Sequence, residues 1–272
     1  MRGSSITFED YALEDAFRLC SELGFKRVEP WKHHLRRCKT PELLQQFVEF
    51  AKGLGLGMGG LNAVGEAYYK PFGTDQELQA TLEGLKADLE LALSLGIHDV
   101  LIWEGIRPKG YTDAQCESSL LPRLIELFRE VLKMAESKKV RFLTEPHPFT
   151  VGMNDRLSIK LYDALDSRYF GILYDCCHFG VGQPNDYIGA ITRLGRRIRH
   201  IHFSDSDQKT SELHYVLGMG RLDLQGILEA FKVLGYDGTL THDLYGHPLP
   251  VHGTRRSLSA LRHAYEYLGL ES

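Results

Sequence analysis

The 272-residue chain lacks any uninterrupted apolar run near the ~20 residues that a membrane helix needs. Its opening stretch, MRGSSITFEDYA, lacks the apolar core of a signal peptide. It also lacks an excess of basic charge. Thirty-two Lys and Arg stand against 36 Asp and Glu, a formal net charge of −4. Nucleic-acid binders usually carry a basic patch or stripe; the densest basic run here, KHHLRRCK (32–39), is short and reads as a solvated loop or a local anion site. Cysteine is scarce. Five residues, an odd number with no framework spacing, point to reduced thiols and a cytoplasmic protein. Cys176 and Cys177 are adjacent, so on an extended chain their side chains diverge and cannot easily pair. No linker-like or low-complexity segment interrupts the chain, and no Gly-rich phosphate loop follows the first β-like run. These absences argue for one domain, residues 1–272, with no membrane or nucleic-acid partner.

What is present is a repeated rhythm. Short β-like runs are each followed by a helical pattern: ITF (6–8) by 11–24, 25–31 by 41–55, 56–64 by 75–96, and 98–105 by 118–139. The same order continues with 140–148 and 156–167, 169–180 and 187–197, 197–207 and 224–235, and 236–246 and 254–269. In LQGILEAFKVLG, Leu224, Ile227, Leu228 and Phe231 recur at helical spacing, and Gly96 and Gly235 sit where left-handed helix caps belong. Strict alternation favours a parallel sheet. Eight strand–helix units in about this length match an α/β fold of the (β/α)8 barrel type. A doubly wound sheet is the alternative.

Chemistry in such a barrel sits at the C-terminal ends of the strands, and the polar residues gather there: Glu104, Glu145, His147, Asp175, His178, His200, His202, Asp205, His242 and Asp243. Strand parity sharpens the set. In RIRHIHFSD, Ile201 and Phe203 share one face and should meet the helices, so His200 and His202 should point inward. In GTLTHDLY, Asp243 shares a face with Thr239 and Thr241, while His242 faces the helix layer. Glu145 follows Leu143 and Asp175 follows Leu173. Four inward groups therefore emerge at four successive strand ends: Glu145, Asp175, His202 and Asp243. Three carboxylates beside one imidazole repel one another unless a cation joins them. Oxygen-rich donors with one nitrogen suit Mn²⁺, Mg²⁺, Co²⁺ or Zn²⁺. Glu29-Pro30-Trp31 and Trp103-Glu104 end two further strands, as wall packing or as a cover over a small polyol.

Five segments carry a family resemblance: TEPH (144–147), YDCCH (174–178), HIHFSDSD (200–207), GMGRLDLQGIL (218–228) and YDGTLTHD (236–243). With them the chain resembles the sugar-phosphate isomerase/epimerase group with the xylose-isomerase-like barrel. That group includes ketose 3-epimerases, hydroxypyruvate isomerases, inosose dehydratases and, more distantly, endonuclease IV-type repair enzymes. The resemblance implies Asp175 as a metal ligand, His178 against substrate oxygen, and Cys176 and Cys177 as packing. It further implies substrate contacts from His147, Gln208 and Arg221, a divalent metal, Mn²⁺ first, and the homodimer common in the group; Trp103 and Glu104, as a cover over the pocket, join the substrate contacts. Two positions depart from the epimerase pattern. Asp243 stands where epimerases carry Glu, and Gln208 stands six past the metal histidine, where Arg is frequent.

The expected activity is a divalent-metal-dependent isomerase or epimerase of a small sugar, polyol-derived ketone or hydroxy-carbonyl compound. Proton abstraction would yield an enediolate, with Glu145 and Asp243 as acid and base on opposite faces. The same groups serve a dehydratase or a metabolite-binding barrel without turnover. An endonuclease IV-like hydrolase is disfavoured. GLNAVGEAYY and LIWEGIRP hold no histidine, and the loop after the seventh strand holds no Asp-x-His pair.

Overall fold

The computed structural model describes residues 1–66 and 69–271. Its strands are β1 (Arg2–Ser4), β2 (Arg27–Glu29), β3 (Gly57–Met58), β4 (Leu61–Asn62), β5 (Asp99–Ile102), β6 (Arg141–Thr144), β7 (Phe170–Asp175), β8 (Ile198–Phe203) and β9 (Thr239–His242). All pair in parallel, in the order β3-β2-β1-β9-β8-β7-β6-β5-β4. The two ends of that order are halves of one pass of chain, residues 57–62. The lower half pairs with β2 and the upper half with β5, so the ring closes through a single interrupted strand. A bridge between Trp31 and Asn62 ties the upper half back to the segment after β2. The result is the (β/α)8 barrel expected from the rhythm.

The interruption has a local cause. A Cβ on Gly59 would lie 2.7 Å from Glu29 Cγ, and one on Gly60 would lie 3.2 Å from the Leu101 side chain. The chain passes too close to its neighbours there for any larger residue. The first strand departs from expectation. ITF does not extend; Ser5–Phe8 form a single 3₁₀ turn, and β1 lies earlier, at Arg2–Ser4, registered with Arg27–Glu29. The turn carries Ile6 over the barrel mouth, and the Ser5 hydroxyl accepts the Trp31 amide at 2.7 Å.

The principal helices follow the predicted spans closely: Leu13–Glu22, Pro41–Gly53, Asp75–Ser94, Leu121–Lys138, Asp155–Leu165, Tyr187–Leu194, Leu224–Leu234 and Pro250–Leu268. Gly96 and Gly235 take φ of 69° and 67°, which suits glycine after a helix. Among the described residues no helix is long and apolar enough to cross a membrane.

Two apolar layers result from the period-2 pattern. Val100, Phe142, Ile172, Tyr174, Ile201 and Leu240 face outward into one large cluster with the helices. Leu101, Leu143 and Leu173 face inward and form a separate small cluster inside the ring. Two residues further along the same strands, that inward face becomes Trp103, Glu145 and Asp175. The site therefore stands on a plug of leucine.

Candidate active site

Asp175 ends β7 and caps the next helix, Cys176–Gly182. Its Oδ1 accepts the His178 amide at 2.8 Å. Oδ2 is left buried and without a hydrogen-bond partner among the described residues. YDCCH is thus a strand end and a helix start sharing one carboxylate, with Cys176 and Cys177 buried as packing groups.

The bare oxygen faces His202 from β8. Around His202 Nδ1 lie Glu145 Oε1 at 2.8 Å, Asp243 Oδ2 at 3.3 Å and Asp175 Oδ2 at 3.6 Å. None meets hydrogen-bond geometry at that nitrogen. All four residues are at most 3% exposed. The donor atoms of Glu145, Asp175 and His202 lie within 4.8 Å of one another. Asp243, with its short side chain, touches His202 but stays outside that compact set. Its Oδ1 accepts the Tyr245 amide at 3.1 Å.

Burial alone would push the Glu145 carboxyl up, but the adjacent His202 outweighs it and holds it below the ordinary value. Burial wins at Asp243 and pushes it up to about 6, against the pull of His202 and His214. Burial would lower His202, yet Asp175, Glu145, Glu29 and Asp243 raise it well above the ordinary histidine value. Three carboxylates thus crowd one buried imidazole, which holds a proton more readily than an ordinary histidine.

Above the cluster opens a cavity of about 170 Å³ with Glu145, Asp243, His178, His214, Glu212 and Trp103 in its wall, and Trp31, His33 and Ile6 toward the rim. The Trp103 indole donates to Glu145 Oε2 at 3.1 Å. His147 packs behind that wall, its ring 4.6 Å from Trp103 and 4.4 Å from His178. The Phe149 amide donates to His147 Nδ1, so Nε2 carries the proton and donates to Glu212 at 2.8 Å.

Besides His147, three more expected substrate contacts lie outside the cavity wall. Glu104 has the parity opposite to Trp103; its Oε1 accepts the Gly152 amide beneath the loop after β6. Gln208 donates to the Pro184 carbonyl at 3.0 Å. Arg221 is exposed, and its backbone amide bonds Ser206. The Gly-x-Gly-Arg motif is organised by Asp205, whose carboxylate accepts the amides of Gly218, Gly220, Leu222 and Ser206 at 2.8–3.1 Å. A Cβ on Gly220 would collide with that carboxylate.

Sequence reasoning passed over His214 and Glu212. They form a Glu-x-His pair in the loop after β8, where only Asp-x-His was sought. The loop is folded back by the Asp205–Tyr215 bridge and by the His214 amide bonding the Tyr245 carbonyl. Asp175, His178 and His214 form a second close set of donor atoms within 4.8 Å. The spacing Glu-x-His was the available signal.

A family model described as xylose isomerase-like TIM barrel matches residues 17–264. The chain belongs to this family. Among xylose isomerase-like barrels, it is 25% identical over 243 residues to a fructoselysine 3-epimerase of Escherichia coli O157:H7, covering 85% of each chain. An uncharacterised Methanocaldococcus jannaschii protein is 24% identical over 165 residues; the match covers 59% of this chain and little more than half, 55%, of that protein. The crystal structure of a D-tagatose 3-epimerase-like protein superposes with a TM-score of 0.80 at 20% identity, covering 98% of this chain and 97% of that one. That last likeness is one of fold.

Proposed function

We propose that this xylose isomerase-like barrel is a divalent-metal-dependent isomerase or epimerase of a small sugar or polyol-derived hydroxy-carbonyl compound. The observation that carries the reading is His202 Nδ1. It is buried, lacks a hydrogen-bond partner among the described residues and is ringed by three carboxylates, one with an oxygen likewise unpartnered among them. Buried charges persist when paired or bound to metal. Glu145, Asp175 and His202 would hold the ion, with Asp243 as the fourth group. The donor set suits Mn²⁺, Co²⁺ or Zn²⁺, and Mg²⁺ less well because of the nitrogen. When bound, the ion supplies Lewis-acid stabilisation of negative charge developing on a carbonyl oxygen.

The chain's own residues move the proton. Glu145 is the base beside a substrate carbon, and the Trp103 indole fixes its second oxygen. Asp243, on the neighbouring strand end and in the cavity wall, is the group that returns the proton. His178 and His214 line the wall and suit substrate hydroxyls, and Trp31 and Trp103 narrow the pocket for a small polyol. His147 acts one layer back, bracing Trp103 and His178.

The kinship with fructoselysine 3-epimerase supports an epimerase over a hydrolase, as does the negative net charge. The test combines metal analysis of the purified protein with a panel of ketoses in deuterated buffer containing Mn²⁺. Metal-dependent deuterium incorporation next to a carbonyl, abolished by chelator, is the expected result. Tight metal binding with no exchange on any member would leave a metabolite-binding barrel instead.

A further inference from the structure

On the opposite edge of the His202 ring from the three carboxylates lies Glu29, at the end of β2 and fully buried. A carboxylate without solvent is costly unless donors satisfy its oxygens. Here Oε2 faces His202 Nε2 at 3.1 Å. Oε1 accepts the Thr241 hydroxyl at 2.6 Å and lies 2.7 Å from His200 Nε2. The methylenes of Glu29 run through space left open by Gly59, where an added Cβ would stand 2.7 Å from Cγ. Strands β8 and β9 and the break in the third strand thus fix this carboxylate independently of any ion. Glu29 does not line the cavity and reaches the site through His202.

We propose that Glu29 is a positioning residue that sets the tautomer and ring orientation of His202 for metal binding. By accepting the Nε2 proton, Glu29 leaves Nδ1 as the bare nitrogen facing Glu145, Asp175 and Asp243. The opposite tautomer would set the Nε2 lone pair against a buried carboxylate oxygen. This inference rests on the reading of His202 as a metal ligand. Outer carboxylates that orient a ligating histidine are typically worth about 10–100-fold in metal affinity.

The test is Zn²⁺ affinity by competition with a chromophoric chelator for the wild type, Glu29→Met and Glu29→Gln, together with ¹⁵N-histidine NMR of the Zn²⁺-loaded wild type. Met keeps much of the volume and removes the acceptor, so Glu29→Met should bind Zn²⁺ about 10–100-fold more weakly. The Gln amide oxygen still accepts, so Glu29→Gln should recover most of that loss. His202 in the wild type should carry its proton on Nε2 and bind through Nδ1. Binding through Nε2 overturns this inference and leaves the metal site standing, whereas a wild type that binds no Zn²⁺ overturns both. Equal losses in the two variants would assign Glu29 a purely electrostatic role and also overturn the proposal. Should Glu29→Met fail to fold, the NMR tautomer and the Gln variant decide the matter.

Discussion

The Trp103 indole N–H reaches Glu145 Oε2 at 3.1 Å while Oε1 of the same carboxylate lies 2.8 Å from His202 Nδ1. The two oxygens of Glu145 therefore face different partners, one the wall of the pocket and one the His202 cluster. Trp103→Phe keeps an aromatic wall and removes only the donor. A hydrogen bond to a charged group is worth about 1.5–3 kcal/mol, so turnover should fall roughly 10–100-fold while Zn²⁺ or Mn²⁺ affinity changes much less. Steady-state kinetics beside a metal titration checks this; a variant that loses metal and turnover in step would place the indole's role in ligation.

Glu145→Gln retains nearly the same volume and an oxygen that can still ligate, but cannot take a proton. In excess metal the variant should melt near the wild type and lose about 10²–10⁴ in rate. Deuterium exchange into a bound α-hydroxy-carbonyl compound reads the first proton transfer alone. Exchange as fast as wild type would leave Glu145 a ligand only and move the search for the base to Asp243, His178 and His214.

The barrel and the inward cluster were legible because both rest on local periodicity. Leu143 and Glu145, Leu173 and Asp175, and His200 and His202 each lie two apart on one strand face, and the structure keeps every one of these parities. Glu104 was legible too. It lies two past Ile102, which faces the helices, and so it points away from the pocket while Trp103 points in. The proximity of WE to a strand end concealed this. His214 was harder to read. Its loop has no period, and its position depends on backbone bonds to Tyr245 and on a bridge from Asp205 to Tyr215. Glu29 meets His202 across 173 positions of sequence, a contact only ring closure creates. The first strand was misplaced because ITF is the more apolar stretch, yet the pairing partners of β2 and β9 are Arg2–Ser4.

An ion in the cluster should stabilise the fold by mass action. At free metal 100 times its dissociation constant the gain is about 2.7 kcal/mol, or roughly 5–10 °C in melting temperature for a chain of this size. Asp175→Asn should abolish the shift. Its side-chain oxygen can still cap the helix at His178, but an amide NH₂ then replaces the oxygen that faces His202. Calorimetry with chelator and with Mn²⁺ on both proteins distinguishes lost ligation from lost folding. A full metal shift in Asp175→Asn would remove this residue from the ligand set.

Glu104 provides a pH signature outside the His202 cluster. Its carboxyl is 1% exposed, with Oε1 on the Gly152 amide and Oε2 without a hydrogen-bond partner among the described residues. Burial pushes it up to about 7, against the pull of the nearby Thr150 hydroxyl and the Gly152 amide. Between about pH 4.5 and 7 the folded chain holds a proton here that the unfolded chain has lost. Stability from this group is therefore fully present below the unfolded value, declines as pH rises through that window, and is flat above it. A shift of this size corresponds to about 3 kcal/mol. Glu104→Gln keeps the oxygen that meets Gly152 and cannot ionise. Urea unfolding of both proteins at pH 5 and pH 8 should show the wild type losing up to about 3 kcal/mol relative to the variant over that interval. Parallel profiles would mean that Glu104 ionises normally, and that the loop from Gly105 to Gly152 opens enough to hydrate it.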